Sequence, residues 1–69
     1  MLRIYADFNS TDEQGRVWCL RGLEGHALVE GMRVVFYVPG DFEVEGTLTS
    51  DRDWVGVPDW TTLVRIDGA

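Results

Sequence analysis

Apolar and polar residues alternate along most of this chain with the two-residue period of half-buried strands. A first strand over residues 2–8 places these side chains on one face: Leu2, Ile4, Ala6 and Phe8. Residues 9–16 are polar throughout and predict a long exposed loop. A second strand over 17–21 carries Trp18 and Leu20 on one face, with Val17 and Cys19 on the other.

Residues 22–31 are punctuated by three glycines and predict a tight turn packed on the core. The side chains expected to pack there are Leu23, Ala27, Leu28 and Val29. The segment could hold one helical turn, but its length and glycine content disfavour a stable helix.

Residues 32–48 predict a hairpin whose loop is fixed by the apolar pattern of its two strands. A three-residue loop, 39–41, sets Val38 opposite Phe42, and the pairs Phe36–Val44, Val34–Gly46 and Met32–Leu48 follow from that register. A two-residue loop would turn Glu43 and Glu45 inward, which costs far more than one loop residue. The outer face then carries opposite charges in reach of cross-strand pairing.

A four-residue turn, 50–53, would set Val55 opposite Leu48 and Val57 opposite Gly46, leaving Trp54 on the outer face. Pro58 ends that strand, and Asp59 is predicted to cap a single helical turn over 60–62 before a last short strand over 63–66. These elements predict an all-β domain spanning 1–69, a small antiparallel barrel of about five strands in a meander, bent at Gly46 and Gly56.

The order of elements resembles an SH3-like barrel. The resemblance rests on the segment 28–34, the hairpin after it, the run Gly46-Thr47-Leu48 and the helical turn at 58–62 before a last strand. The likeness includes the long loop between the first two strands. This class includes peptide-binding modules, readers of methylated side chains and RNA-binding barrels, and the chain departs from the last by lacking basic residues at the hairpin. It is also similar to short bacterial proteins of unknown function, which implies no activity.

The net charge and the length of the chain limit the classes of partner that we expect. Twelve acidic residues face six arginines, a net charge of -6, whereas binding to phosphate backbones relies on Lys and Arg. Since the arginines are scattered along the sequence, we do not expect binding to nucleic acid or membranes. No signal peptide or membrane span fits the pattern of apolar residues. The lone Cys19 favours a cytoplasmic location. A domain this small buries only about 60% of its unfolded surface, so association with another chain is the expected reinforcement.

Residues suited to catalysis are scarce. His26 is the only histidine, and nothing in the spacing brings Ser10, Ser50 or Cys19 to it. The turn aspartates Asp51 and Asp53 are explained by bonding to their own backbone, and they lack the remaining ligands of a calcium loop. We therefore predict no catalytic residue, no metal site and no cofactor.

The aromatic residues are the better indication of function. Tyr5, Tyr37 and Trp54 are predicted to face outward beside acidic residues, and the predicted ligand-binding set is Tyr5, Tyr37, Glu43, Glu45, Asp53 and Trp54. Flat rings beside carboxylates suit a cationic or proline-rich peptide, although a curled barrel could instead use some of these rings to cover a secondary core.

These observations predict a non-catalytic binding or protein-interaction module with a protein or peptide partner. The segment Val34–Val38 is apolar on both faces, so it either lies centrally or pairs with another chain in self-association. Two other functions stay open: a nucleic-acid-binding small barrel that gathers its arginines on one face, and a metal-dependent or accessory subunit of an enzyme.

Overall fold

The computed structural model describes residues 1–66, which form six strands and one 3-10 turn. In chain order they are β1 (Arg3–Thr11), β2 (Val17–Arg21), β3 (Arg33–Val38), β4 (Phe42–Ser50), β5 (Trp54–Pro58), the 3-10 turn (Trp60–Thr62) and β6 (Val64–Arg65). The predicted all-β class with one short helical turn is confirmed. The capping prediction is also confirmed, because the Asp59 side chain accepts a hydrogen bond from the Thr61 amide.

The sheet closes into a five-stranded barrel in the order β1-β2-β5-β4-β3. The short strand β6 pairs with the start of β4, along the same edge of β4 as β5. The closing pair, β1 with β3, is parallel, while the other pairings are antiparallel. The predicted meander is therefore wrong after β2, because β2 pairs with β5 and β3 lies beside β1. Sequence alternation reports which face of a strand is buried, but it carries no information on which strand lies beside which.

The central hairpin has the predicted register. Val38 lies opposite Phe42, Phe36 opposite Val44 and Val34 opposite Gly46, joined through a three-residue loop. Gly40 in that loop has φ of 71°, a conformation that glycine adopts without steric cost.

The predicted register between β4 and β5 is wrong by one residue. Leu48 lies opposite Gly56 and Thr49 opposite Val55, because the turn has three residues and Arg52 adopts a positive φ of 64°. Trp54 consequently lies half-buried against the hydrophobic core instead of on the outer face. Val55 is fully buried yet lies outside the main core cluster.

The core is small and centres on the ring of Phe36. Its fully or almost fully buried members are Ile4, Ala6, Val17, Val34, Phe36, Val44 and Leu48. The ring lies against Gly46 and Gly56. A Cβ added to either glycine would lie within 2.7 Å of a Phe36 ring carbon. The predicted bend points are thus also the positions that make room for the ring.

The loop after β1 is shorter and more ordered than predicted, since β1 continues to Thr11. The Asp12 side chain accepts hydrogen bonds from the amides of Gln14 and Arg16, from Arg16 Nε at 2.7 Å and from Trp18 Nε1 at 2.9 Å. Arg16 also forms an ion pair with Asp51 at 3.1 Å, which links this loop to the β4–β5 turn. The indole hydrogen bond, followed by those from Arg16 and Gln14, holds the pKa of Asp12 well below its usual range.

The segment between β2 and β3 packs on the core through Leu23 and Leu28, as predicted. Ala27 and Val29 do not pack there, and Val29 is 62% exposed. Glu30 fastens the segment to β4 by accepting hydrogen bonds from Thr49 Oγ1 and the Ser50 amide.

Candidate functional site

Two of the predicted site residues, Tyr5 and Tyr37, form a pair on the outer face of the β1–β3 seam. They lie side by side in the register, with ring centroids 6.0 Å apart in an edge-to-face arrangement. Glu43 lies opposite Tyr37 on β4. The predicted hairpin register places Tyr37 opposite Glu43, whereas the contact of Tyr5 with Tyr37 comes from the unpredicted pairing of β1 with β3.

Arginines of the chain itself cover both rings. The Arg3 guanidinium lies 5.0 Å from the Tyr37 ring centroid, and that of Arg21 lies 5.9 Å from the Tyr5 centroid. Arg3 also forms an ion pair with Glu43. Consequently, Glu43 is already neutralised within the chain and does not present a free carboxylate to a partner.

Glu45 belongs to a separate charged network on the same strand. Arg33 pairs with Glu45 at 3.4 Å and with Asp59 at 3.1 Å, as the predicted cross-strand charge pairing requires. Hydrogen bonds from Thr61 and Arg33 lower the pKa of Asp59. The Asp59 carboxylate caps the 3-10 turn, and the Glu45 carboxylate is paired with Arg33.

Asp53 and Trp54 lie at the other end of the barrel. Ser50 is opposite Trp54 while Tyr37 is opposite Glu43, so the two predicted aromatic centres are separated by roughly 23 Å along β4. Asp53 Oδ1 accepts the Trp54 amide at 2.8 Å, which is the turn chemistry expected of it. A single surface centred on both Tyr37 and Trp54 does not exist.

A shallow hollow of about 350 Å³ lies at the tyrosine pair. We call it the tyrosine hollow, and it is lined by Tyr5, Arg21, Gly22 and Tyr37. Arg21 forms no ion pair within residues 1–66, and this sets it apart from Arg3. Gly22 contributes no side chain, so the guanidinium stays open to solvent on that side.

A second concavity, of about 240 Å³, opens where β1 and β3 part. Their pairing ends at Tyr5 and Tyr37, whereas β1 continues to Thr11. We call this concavity the aspartate groove, and its lining includes Tyr5, Asp7, Phe8, Val38, Asp41 and Phe42. Asp7 and Asp41 form no ion pair within the described residues.

An aromatic cluster borders the aspartate groove. The rings of Phe8, Phe42 and Trp60 lie with centroids 5.1 to 6.0 Å apart, and Trp60 is 50% exposed. Phe8 and Phe42 were assigned to the core face, where they are indeed half-buried. The sequence gives one usable signal for this groove, which is that an outward aspartate follows Tyr5 by two positions.

Residues suited to nucleophilic or metal chemistry stay apart in the described part of the chain. His26 lies in an exposed turn, and Cys19 is half-buried opposite Asp7 on the outer face instead of being buried. Residues 1–66 contain no group of three or more His, Cys, Asp or Glu side chains placed to hold a metal ion. Within that range, too, no helix is long and apolar enough to cross a membrane.

The chain was compared with protein-family models, with curated proteins and with solved structures. None of the three comparisons gave a match.

Proposed function

We propose that the chain is a non-catalytic binding module and that its aspartate groove holds a basic segment of a protein partner. The observation that carries the proposal is that Asp7 and Asp41, which pair with no cation in residues 1–66, line a groove bordered by exposed aromatic surface. Carboxylates can pair with an arginine or lysine head, while aromatic rings accept its aliphatic stem.

The proposal keeps the predicted combination of aromatic and acidic side chains but moves its centre. Tyr5 belongs to the groove, Tyr37 lies beside Tyr5 with Glu43 opposite it, and Asp53 and Trp54 lie outside the groove. An SH3-like relationship is part of the proposal, supported by the closed five-stranded barrel and the 3-10 turn before the last strand. A cytoplasmic location, supported by the lone cysteine, is proposed with it.

A displayed library of random heptapeptides, selected against the immobilised chain, tests this function. We expect enrichment of arginine or lysine beside an apolar residue, because that pattern fits the groove. A selected peptide should then bind Asp41→Asn and Asp7→Asn about two- to five-fold more weakly in calorimetry, the range of an exposed ion pair.

Glu13→Gln is the matched control, since Glu13 is exposed and lies outside the groove. It removes the same charge and should leave the affinity unchanged. Absence of basic enrichment, or equal weakening by all three variants, would contradict a specific role for the groove.

Nucleic-acid binding is the second candidate, favoured by one observation. Arg3 and Arg21 converge on the tyrosine pair, although they are far apart in the sequence. Stacking bases on tyrosines beside arginines is a known mode of single-strand binding. Titration with a single-stranded RNA at 20 and 150 mM salt tests it: strong, salt-sensitive binding would favour this candidate over the peptide module.

A further inference from the structure

The tyrosine hollow and the aspartate groove adjoin each other, and they carry opposite charges. Tyr5 lines both. Arg21 is one of the residues that line the hollow, while Asp7 and Asp41 are among those that line the groove. A ligand long enough to cover Tyr5 therefore meets a cation on one side and anions on the other.

The register between β1 and β2 sets the spacing of these charges. Tyr5 lies opposite Arg21, and Asp7 lies two residues further along β1, opposite Cys19. Arg21 and Asp7 are therefore diagonal neighbours, which in antiparallel pairs lie about 7–8 Å apart. In an extended peptide, side chains two residues apart on one face are separated by about 7 Å.

Arg21 is better placed than Arg3 to form an ion pair with a carboxylate of a ligand. Arg3 is paired with Glu43, whereas within residues 1–66 the guanidinium of Arg21 lies over the Tyr5 ring and forms no ion pair. Ring contact orients a guanidinium but leaves its N–H groups available for a carboxylate.

We infer that this surface selects an extended segment in which a basic residue and a carboxylate lie about two positions apart, the base in the aspartate groove and the carboxylate on Arg21. The inference rests on the proposed function and adds the charge pattern of the partner. For a given peptide it also sets the direction of the bound segment, because turning that peptide end for end would place like charges together. A single carboxylate fits better than a polyanion, since the net charge of the chain is -6.

The test uses one base-containing heptapeptide obtained from the library selection, synthesised in three forms. One form carries Glu two residues before the base, one carries Glu two residues after it, and the third has Gln at both positions. We expect one of the two Glu forms, and not the other, to bind two- to five-fold more tightly than the Gln form, the range of an exposed ion pair.

Substitutions at Arg21 assign the gain to this residue. Arg21→Gln should abolish the difference between the Glu and Gln forms, whereas Arg21→Lys should retain most of it by keeping the charge. Arg52→Gln is the control, because Arg52 lies in the β4–β5 turn, outside both concavities. Circular dichroism of each variant checks that the barrel is intact.

The outcomes separate this inference from the function on which it rests. If the Gln form binds through Asp41 but neither Glu form improves on it, the charge-pattern inference is overturned and the basic-segment module stands. If both Glu forms gain equally, directional selection is overturned. If no form depends on its basic residue, both proposals fail together.

Discussion

The ring of Phe36 occupies space that two glycines leave empty, and this arrangement makes a sharp test of the core. The three atoms nearest to a Cβ on Gly56 would all belong to the Phe36 ring, the closest two at 2.7 and 2.8 Å. A Cβ on Gly46 would meet the same ring and also backbone, the Val57 carbonyl oxygen and Pro58 Cα. The two glycines therefore differ in what could relieve a clash.

We expect Gly56→Ala to lower the free energy of unfolding by about 1–3 kcal/mol, the usual cost of overpacking a core. In a Phe36→Leu background the cost of Gly56→Ala should shrink, because leucine lacks the ring atoms that clash. Gly46→Ala should stay costly in both backgrounds, since its backbone contacts remain. Urea unfolding of the double-mutant cycles measures these couplings, and equal relief at both glycines would refute the packing argument.

At the scale of single residues, the sequence predicted the inward residues of β1, β3 and β4 correctly because alternation reports burial directly. It misplaced Trp54, since a three-residue turn with a positive φ at Arg52 has no sequence signal here. It missed the Asp12 cluster as well, because a polar loop does not reveal that one carboxylate will accept hydrogen bonds from the Trp18 and Arg16 side chains.

Among the elements, the 12–16 loop depends most on one side chain. Replacing Asp12 with Asn leaves one oxygen for the Gln14 and Arg16 amides but puts an amide donor against the side-chain N–H donors of Arg16 and Trp18, so the loop loses both of these contacts and the negative charge. We expect Asp12→Asn to lower the Tm by several degrees and to speed amide exchange of residues 14–16. Glu13→Gln, one residue further on and exposed, should change neither quantity. Unchanged amide exchange in Asp12→Asn would show that the loop is held by other contacts.

The aspartate groove is a property of elements and not of any one strand, which explains why the sequence did not reveal it. The groove forms because β1 extends beyond the last residue that pairs with β3. That pairing is parallel and joins segments far apart in the sequence. Tyr5 and Tyr37 could be predicted to face outward, but their neighbours Asp7, Asp41 and Phe42 come from strands and turns whose proximity only the closed barrel determines.

For the whole molecule, several carboxylates couple stability to pH. The pKa values of Asp12, Glu30 and Asp59 are lowered by hydrogen bonds, from Trp18, Thr49 and Thr61 first in each case. A lowered folded-state pKa means stability that is fully present above the unfolded value, about 4, and is lost as pH falls through the folded value.

We therefore expect a flat Tm between about pH 7 and pH 5 and a steep fall below about pH 4. In Asp12→Asn the acid limb should be shallower, because one of the linked groups is gone. Thermal melts followed by circular dichroism across this range measure both features. A Tm that rises on acidification below pH 4 would contradict the assigned linkage.

Self-association through Val34–Val38 stays a prediction, and the barrel constrains how it could occur. β3 lies between β1 and β4, so both of its edges are occupied. A second chain could pair with it only if the β1–β3 seam opened. Sedimentation velocity over a wide range of concentrations tests this, and we expect any dimer to increase under mildly destabilising conditions; a clean monomer throughout would rule out pairing by β3.

The position of β4 has a consequence for how the molecule opens. Its backbone is bordered by β3 on one edge and by β5 and β6 along the other, with Gly46 and Thr47 paired on both sides. These amides should exchange with solvent only on global unfolding, whereas β6, a two-residue strand held along one edge, should fray first. The Asp41 wall of the aspartate groove leads directly into the slowest-exchanging strand, so this wall should keep its shape while β6 frays.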